Sequence, residues 1–334
     1  MARVLVTGAV GFIGFHLTKA LLKKGHDVVG VDNVNAYYDP TLKEARLTNI
    51  ESMLAPSQSF HFYREDITDK VALNAVFHKH NPEIVVNLAA QAGVRYSIEA
   101  PQQYIDTNVS GFQNILDACR DFKVQHLLYA SSSSVYGNSR ATPFLSSDPV
   151  DHPVSMYAAT KRMNELMAHV YSNMFAINTT GLRFFTVYGP WGRPDMAPMK
   201  FAKSIMEGTP IDVYNNGQHW RDFTYIDDIV NGILGLLYTL PEPSTQERPN
   251  TAEAPFEIFN IGTRDPVHLL SFIECMEASL GKKAIKNMLP MQPGDVASTH
   301  ADVTPLHEKT GYTPTTSLED GVARFVSWYN EYYK

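Results

Sequence analysis

The stretch VLVTGAVGFIG, residues 4–14, decides the fold, because an apolar segment runs directly into three regularly spaced glycines. The apolar segment predicts a buried strand, and apolar side chains then recur with helical spacing from Ile13 onward. A glycine-rich turn between strand and helix lets the backbone approach a pyrophosphate, and the helix N-terminus supplies free amides and a positive dipole end. The stretch therefore predicts a nucleotide site at Gly8, Gly11 and Gly14.

The second predicted strand, DVVGVD, ends at Asp32. Its carboxylate can accept hydrogen bonds from both ribose hydroxyls of a dinucleotide and would repel a 2′-phosphate, which predicts NAD rather than NADP. A turn or helix-capping role is the alternative for this aspartate. Asp66 ends the third predicted strand and is placed to meet the adenine edge. The small residues of NLAAQAG end the fourth strand beside the cofactor, although they would also suit close packing.

Short apolar runs alternate with amphipathic segments throughout the first half of the chain. This alternation predicts an α/β fold with a doubly wound parallel sheet, Rossmann-type, whose ligands bind at the carboxyl ends of the strands. After about Tyr188 the sequence becomes rich in Pro and Gly, in YGPWGRPDMAP. We therefore expect an NAD-binding domain over residues 1–187 and a smaller C-terminal α/β substrate domain over 188–334. Segments near 222–240 and 256–264 are expected to return to the first domain, and residues 240–255 to form an exposed loop.

Composition excludes several classes of function. The 334 residues carry a net charge of -7 and no block of Lys or Arg, which argues against nucleic acid or an anionic membrane as the main partner. Cys119 and Cys275 lie in apolar helical patterns and are expected to be reduced thiols rather than a disulfide or a metal site. No signal region or membrane span is found, so we expect a cytoplasmic protein without a metal.

A second motif, YAATK, places Tyr157 and Lys161 one turn apart on one helix face. A tyrosine becomes a useful base only if its pKa, about 10, falls toward neutrality, and a fall of about 3 units needs roughly 4 kcal/mol of preferential phenolate stabilisation. A nearby lysine and a positive nicotinamide ring supply charges of the right sign. The motif follows the strand that ends in four serines, in the half of the sheet that should border the nicotinamide. A surface tyrosine beside a solvated lysine is the alternative.

Together these motifs resemble the extended short-chain dehydrogenase/reductase superfamily over the whole chain. The stretches LAAQAGVRYS, YASSSSVYG, DHPVSMYAATK, LRFFTVYGPWGRPDMA, RDFTYIDDIV and NMLPMQPGDV are similar to the UDP-glucuronate 4-epimerase subfamily in particular. The resemblance implies that Tyr157 removes the proton of the sugar 4-hydroxyl while hydride passes from C4 to NAD. It implies that Ser132 hydrogen-bonds the same oxygen and that Lys161 binds the nicotinamide ribose. Hydride return to the opposite face would give the C4 epimer and regenerate NAD.

The same resemblance implies a set of NAD-binding residues along the ends of the predicted strands. Asn108 is expected to act there as a structural support inside the fourth helix. The full set is Gly8, Gly11, Phe12, Ile13, Gly14, Asp32, Asn33, Asp66, Ile67, Leu88, Ala89, Ala90, Gln91, Asn108, Tyr157 and Lys161.

The row of serines bears on the choice of reaction. Relatives that dehydrate or decarboxylate nucleotide sugars carry a carboxyl group at this strand end, whereas this chain has Ser133 and Ser134. Hydroxyls hydrogen-bond a substrate without exchanging protons at neutral pH. Fixed donors would restrain a glucuronate carboxylate and raise the barrier to its loss from the 4-keto intermediate. Arg193 could add a charge-assisted bond and Thr186 a neutral one. A polar turn for the serines and a surface ion pair for Arg193 are the alternatives.

The resemblance also places the UDP group. Arg221 and Asp295 are expected near the diphosphate and its ribose, and Val213 and Tyr214 beside the uracil. Arg221 could instead pair locally with Asp222. Trp191 and Trp220 could stack on the base or sugar, although aromatic side chains belong more often to a core. Relatives usually form homodimers by packing two helices per subunit, here those after the fourth and fifth strands.

Three other functions remain open at this stage. A neutral-sugar 4-epimerase acting on UDP-glucose or UDP-N-acetylglucosamine would not need Arg193, and a UDP-uronate decarboxylase would need a carboxyl group at the serine row. An NAD-binding regulator without activity would normally lack the Tyr157 and Lys161 pair.

Overall fold

The computed structural model describes residues 1–139, 141–243, 253–292 and 296–333. Its centre is a seven-stranded sheet in the order β11-β6-β5-β4-β1-β2-β3, with every pairing parallel. The strands are β1 (Arg3–Thr7), β2 (Asp27–Val31), β3 (Phe60–Tyr63), β4 (Ile84–Asn87), β5 (His126–Ser132), β6 (Thr179–Phe184), β7 (Thr186–Tyr188), β8 (Pro210–Val213), β9 (Trp220–Arg221), β10 (Phe223–Tyr225), β11 (Phe256–Ile261), β12 (Val267–His268) and β13 (Ile285–Met288). The predicted doubly wound parallel sheet is confirmed.

Helices cover both faces of this sheet. They are α1 (Phe12–Lys23), α2 (Pro40–Ser52), α3 (Lys70–His80), α4 (Tyr96–Glu99), α5 (Pro101–Tyr104), α6 (Phe112–Asp121), α7 (Met156–Phe175), α8 (Ala197–Glu207), α9 (Ile226–Leu236), α10 (Leu269–Leu280), α11 (Thr304–Thr310) and α12 (Leu318–Tyr333). The buried side chains of α1, α2 and α9 belong to one core, and those of α3, α6 and α7 to a second. The central strands β1, β2 and β4 are therefore buried on both faces, which explains why their apolar residues run continuously rather than alternating.

The chain changes character after β6. Strands β7 to β10, β12 and β13 form three two-stranded sheets, and α8, α10 and α12 pack beside them. Two later segments lie with the large sheet: α9 packs on α1, and β11 pairs with β6 from Phe256 to Ile261. The expected loop at 240–255 falls mostly on residues 244–252, outside the described residues.

Cys119 is a buried free thiol and Cys275 a partly buried one. In the described part of the chain, no helix combines the length and the apolar character that crossing a bilayer requires.

Candidate active site

A cavity of about 1010 Å³ opens at the carboxyl ends of the parallel strands. The glycine turn and the ends of β2, β4 and β5 line one side, and residues after β6 line the other. Its size is at the upper limit of ordinary ligand pockets, which leaves room for two ligands placed end to end. The topology explains this position, because strand order reverses between β1 and β4 and the loops diverge there.

The glycine turn shows why glycine is required at two of its positions. Gly8 has a left-handed φ of +69°. A Cβ at Gly14 would lie 2.0 Å from the Gly8 carbonyl oxygen, so the turn closes only with glycine there. Helix α1 begins after Gly11, which has no side chain to cap it, and Gly11, Phe12, Ile13 and Gly14 line the cavity. The first amides of α1 are thus available to a pyrophosphate.

Asp32 both holds the glycine turn and reaches the cavity. Its carboxylate accepts hydrogen bonds from the Val10 amide (3.2 Å) and the Val34 amide (2.9 Å), and the residue lines the cavity. The turn role and the ribose role are therefore compatible. Asp66 accepts a 2.6 Å hydrogen bond from the amide group of Asn33, and both residues line the same end of the cavity, with Ile67.

The end of β4 is fixed from below by Asn108. Its side-chain amide oxygen accepts from the Gln91 amide at 2.8 Å, and its NH2 group donates to the Gln91 carbonyl at 3.0 Å. Asn108 lies in a π-helical turn, Ile105–Gly111, rather than in a regular helix. These bonds place Leu88, Ala89, Ala90 and Gln91 along the cavity wall. A glycine-bounded cradle, a ribose acceptor and a wall of small residues together fit NAD.

The tyrosine and lysine of YAATK lie deep in the cavity. Helix α7 starts at a Ser155 cap, whose hydroxyl accepts from the Ala158 amide, and Tyr157 therefore sits in the first turn. Burial raises the pKa of Tyr157, while the nearby Ser132 hydroxyl and the Arg193 charge act in the opposite direction. Burial also lowers the pKa of Lys161 to about 8, and its ammonium donates to the Ala130 carbonyl at 2.9 Å.

The end of β5 is locked beneath α7. Ser131 donates a 2.7 Å hydrogen bond to Glu165, which also forms a buried ion pair with Arg183 at 2.8 Å. The next residue, Ser132, uses its hydroxyl to cap the short 3-10 turn Ser133–Tyr136 by accepting from the Ser134 amide at 3.1 Å. The serine row is thus a rigid strand end, and it remains open to the cavity because Ser132, Ser133 and Ser134 all line it.

Arg193 approaches the same region from residues 189–195, here called the arginine loop. Thr186, at the start of β7, lines the cavity with it. The Arg193 guanidinium pairs with Asp195 through Nε (3.1 Å) and Nη2 (2.5 Å). Burial acts against its charge, but Asp195 raises the pKa of Arg193 overall, so the guanidinium remains charged. Arg193 is therefore ion-paired and cavity-lining at once, so neither alternative holds alone.

The arginine loop is anchored to the NAD-binding half of the molecule. The fully buried Arg46 of α2 donates to the Val10 carbonyl (2.9 Å) and to the Trp191 carbonyl (2.6 Å). His16 of α1 hydrogen-bonds the Pro190 carbonyl at 2.9 Å. The Trp191 ring packs between Phe15 and the aromatic end of α12, so this tryptophan belongs to the core and is not a base-stacking residue.

Two of the residues expected near UDP line the cavity from the part of the chain after β6. Tyr214 and Arg221 line it, and the Arg221 guanidinium donates to the carbonyls of Val296 (2.6 Å) and Ala297 (3.1 Å). Asp222 points inward instead: it is fully buried and accepts from Thr224 and Thr263. Asp295 lies outside the described residues.

Two other residues expected to contact the nucleotide sugar do not line the cavity. The Val213 side chain is fully buried in the core, because β8 alternates exposed and buried positions and places it on the inner face. The Val213 side chain therefore does not line the cavity, and a uracil contact from this residue stays a prediction for its backbone. Trp220 is 48% exposed and packs edge-on against His268 rather than lining the cavity wall.

Several cavity residues carry no local sequence signal. Tyr37 and Lys43 follow β2, Arg95 follows β4, and Asp195 ends the arginine loop. Arg95 lies over the Tyr214 ring at 4.9 Å, so it links the two sides of the cavity. The adjacent tyrosines of NAYYDP, in a polar loop after a strand, are the sequence feature that could have indicated Tyr37.

Comparison with known proteins assigns the chain to a family. The model of the NAD dependent epimerase/dehydratase family matches residues 4–262. Protein CapI of Staphylococcus aureus is 52% identical over 337 residues and 99% of each chain. A probable UDP-glucuronate 4-epimerase of Rhizobium meliloti is 46% identical, over 99% of this chain and 98% of the relative.

The solved structures include a similar fold with both ligands bound. The UDP-glucuronic acid 4-epimerase of Bacillus cereus, in complex with UDP-glucuronic acid and NAD, is 35% identical and superposes with a TM-score of 0.87. The match covers 98% of this chain and 99% of that one. With the glycine cradle, the tyrosine and lysine pair and the family match all in agreement, this chain belongs to the NAD dependent epimerase/dehydratase family.

Proposed function

We propose that this protein is an NAD-dependent epimerase that interconverts UDP-glucuronate and UDP-galacturonate by inverting C4. One observation carries the proposal: a charged arginine and a rigid row of serines line the same cavity as Tyr157. A charged donor beside neutral donors suits a sugar that carries a carboxylate. The similarity to enzymes named for this substrate supports the same conclusion.

The NAD-binding residues are proposed from the cavity wall. The glycine turn and α1 would hold the pyrophosphate, Asp32 the adenosine ribose, and Lys161 the nicotinamide ribose. Bound NAD supplies a group that accepts hydride from C4 and returns it. The remaining chemistry belongs to the protein's own side chains.

Tyr157 is the proposed acid and base. Its phenolic oxygen takes the proton of the sugar 4-hydroxyl as C4 is oxidised and gives it back when C4 is reduced. Ser132 hydrogen-bonds the same sugar oxygen and so fixes the 4-hydroxyl toward Tyr157. Because burial raises the pKa of Tyr157 in the protein alone, its ionisation depends on positive charge nearby, and Arg193 is one source of it.

The carboxylate must survive the 4-keto stage, because a β-keto acid loses carbon dioxide readily. Ser133, Ser134, Thr186 and Arg193 are proposed to hold it as a charged, hydrogen-bonded group. Decarboxylation discharges that group, so donors that favour the charge raise the barrier to its loss. The serine row also lacks the carboxyl group that a decarboxylase would need there.

The two sides of the cavity have separate tasks in this proposal. Arg221 and Tyr214 anchor UDP, so that only the sugar turns over between oxidation and reduction. We place the division between an NAD-binding lobe and a UDP-sugar lobe near residue 188, with α9 and β11 returning to the first lobe. Tyr214 and Arg221 line the cavity from the part of the chain after residue 188, which supports this division.

We also propose a homodimer. Helix α7 exposes an apolar stripe on the side away from the sheet, formed by Met163 (40% exposed), Leu166 (51%), Val170 (47%) and Met174 (65%). Their spacing repeats every three to four residues, so they share one helix face. A second copy of the chain is the proposed cover for this stripe, here called the α7 stripe.

The experiment that tests the function is a product NMR spectrum recorded after incubation with UDP-glucuronate. C4 inversion without loss of carbon dioxide is the expected outcome. Release of a UDP-pentose would show decarboxylation, and turnover of UDP-glucose alone would show a neutral-sugar epimerase.

Arg193→Ala tests the carboxylate contact within the same reaction. Loss of a charge-assisted bond is worth about 1.5 to 3 kcal/mol, so UDP-glucuronate should bind roughly 10- to 150-fold more weakly while UDP-glucose is little affected. Carboxyl-labelled substrate should also show more carbon dioxide released per epimer formed. If Arg193→Ala keeps the preference for UDP-glucuronate over UDP-glucose and releases no additional carbon dioxide, Arg193 does not bind the carboxylate.

A further inference from the structure

Arg193 does not face the cavity as a free guanidinium. Both oxygens of Asp195 accept from it, one from Nε at 3.1 Å and the other from Nη2 at 2.5 Å. An arginine has five N–H donors, and this side-on pair uses two of them. The edge between Nη1 and Nη2 remains, and that edge matches a carboxylate in a two-bond arrangement.

Asp195 is itself held from the other side of the cavity. The Tyr37 hydroxyl donates to its Oδ2 at 3.3 Å, and the Tyr37 ring packs against Tyr96 with centroids 5.3 Å apart. Burial and the Asp195 charge raise the pKa of Tyr37 to about 12, so its hydroxyl stays a proton donor. The pair of Asp195 and Tyr37 thus joins the segment after β2 to the arginine loop.

The backbone beneath this pair has little freedom. Arg46 and His16 hold the carbonyls of Trp191 and Pro190, as described above. Trp191 also adopts a left-handed φ of +60°, which a bulky residue keeps only when its surroundings fix it. With the loop backbone fixed, the direction of the Arg193 side chain is set mainly by Asp195.

We propose that Asp195 is a positioning residue that sets the preference for uronates by holding Arg193 and limiting its charge. Held side-on, the guanidinium presents its end edge to the sugar carboxylate. The negative charge of Asp195 partly offsets the positive charge of Arg193. A uronate is therefore recognised by the orientation of the guanidinium, and it binds weakly enough to dissociate after turnover. This role rests on the proposed function, since it concerns the carboxylate of the same substrate.

The proposal predicts opposite shifts for two variants. Asp195→Asn keeps an oxygen for Arg193 but removes a negative charge beside the substrate carboxylate, so UDP-glucuronate should bind about tenfold more tightly. Tyr37→Phe removes a donor and leaves more negative charge on Asp195, so UDP-glucuronate should bind about two- to threefold more weakly. Binding of UDP-glucose should change less than twofold in both, because it carries no carboxylate.

The experiment is titration calorimetry of the NAD-loaded protein with each nucleotide sugar, together with the ratio of labelled carbon dioxide to epimer. Asp212→Asn is the matched control: Asp212 also lines the cavity but lies beside Tyr214 and Asn287, so its loss should affect both sugars equally. Asp195→Ala should release more labelled carbon dioxide, because Arg193 is no longer held. Circular dichroism and NAD content report whether each variant has folded.

The outcomes distinguish a failure of the proposed function from a failure of the proposed role of Asp195. If the unmodified protein does not invert UDP-glucuronate, the proposed function and this role both fail. If it does, but Asp195→Asn and Tyr37→Phe leave the ratio of the two binding constants unchanged, the function stands and the role of Asp195 is wrong. Equal weakening of both sugars would show that Asp195 only supports the loop, and would also overturn the role.

Discussion

Lys161 is a buried polar group and Tyr157 a half-buried one, and the properties of both depend on what else enters the cavity. In the protein alone, burial raises the pKa of Tyr157 and lowers that of Lys161 to about 8. The phenol therefore stays protonated, and the Lys161 ammonium is held by one carbonyl oxygen, that of Ala130. Both groups gain their proposed roles only when the ribose and positive ring of the cofactor are beside them.

Tyr157→Phe keeps the ring and removes the proton-transfer oxygen. We expect turnover to fall by at least about 100-fold, as is typical when a general base is lost, with UDP-sugar binding largely intact. Tyr171→Phe is the matched control, because Tyr171 lies on the same helix and its hydroxyl donates to Asp117, away from the cavity. Near-normal turnover in Tyr157→Phe would remove this residue from the mechanism.

Lys161→Met should increase stability while reducing activity. A pKa lowered from 10.5 to about 8 means that burying the charged form costs about 3 kcal/mol. Losing the bond to Ala130 offsets part of this, which leaves a net gain of about 1 to 2 kcal/mol at pH 7. Urea unfolding with NAD removed would measure it.

The stability cost of burying the Lys161 charge should depend on pH. Between pH 8 and 10.5 the unfolded lysine binds more protons than the folded one, so the unmodified protein regains stability as pH rises through this window. The advantage of Lys161→Met should shrink over that range. If the two proteins differ by a constant free energy of unfolding from pH 7 to 10.5, burial does not lower the pKa of Lys161.

At the scale of elements, the site depends on how closely α1 can approach β1. Gly14→Ala should prevent that approach, because the new Cβ would lie 2.0 Å from the Gly8 carbonyl oxygen. We expect lost NAD binding and a lower Tm. Gly11→Ala, whose Cβ would lie 3.0 Å from the same oxygen, is the milder control. NAD released on denaturation and thermal unfolding would rank the two, and equal behaviour would contradict the close-approach argument.

The regular elements were predictable because their signals are local. The strands of the first half and the helix that carries Tyr157 follow from apolar runs and helical spacing, and all are present, although β3 ends at Tyr63 and not at Asp66. The π-helical turn Ile105–Gly111 was not predictable. There Asn108 bonds Gln91, seventeen residues earlier, and no spacing rule indicates such a contact.

The candidate site likewise contains some residues that the sequence predicts and others that it does not. The glycine turn, Asp32 and YAATK could be predicted because each joins a motif to a strand end. Tyr37 and Asp195 could not, since they are 158 residues apart and meet only after the fold forms. The burial of the Val213 side chain could not be predicted either, because strand alternation decides which side chains face inward and the sequence did not fix the boundary of β8.

At the scale of the whole molecule, the α7 stripe predicts how two copies meet. Leu166→Glu should weaken the dimer by at least about 100-fold, because a two-fold interface would bury the new charge twice. Val71→Glu is the control, since Val71 is 81% exposed on α3 and should leave association unchanged. Sedimentation across a concentration series would measure both. A monomeric unmodified protein would overturn the dimer.

The late position of β11 in the chain affects how the large sheet forms during synthesis. The chain must be translated as far as Phe256–Ile261 before β6 gains its outer neighbour. Until then β6 presents unpaired backbone groups, which are a template for pairing with another nascent chain. Truncation near residue 188 would make that bare edge permanent. The two lobes therefore share one folding event, and fusion sites or circular permutations should be sought where no later segment returns to the sheet.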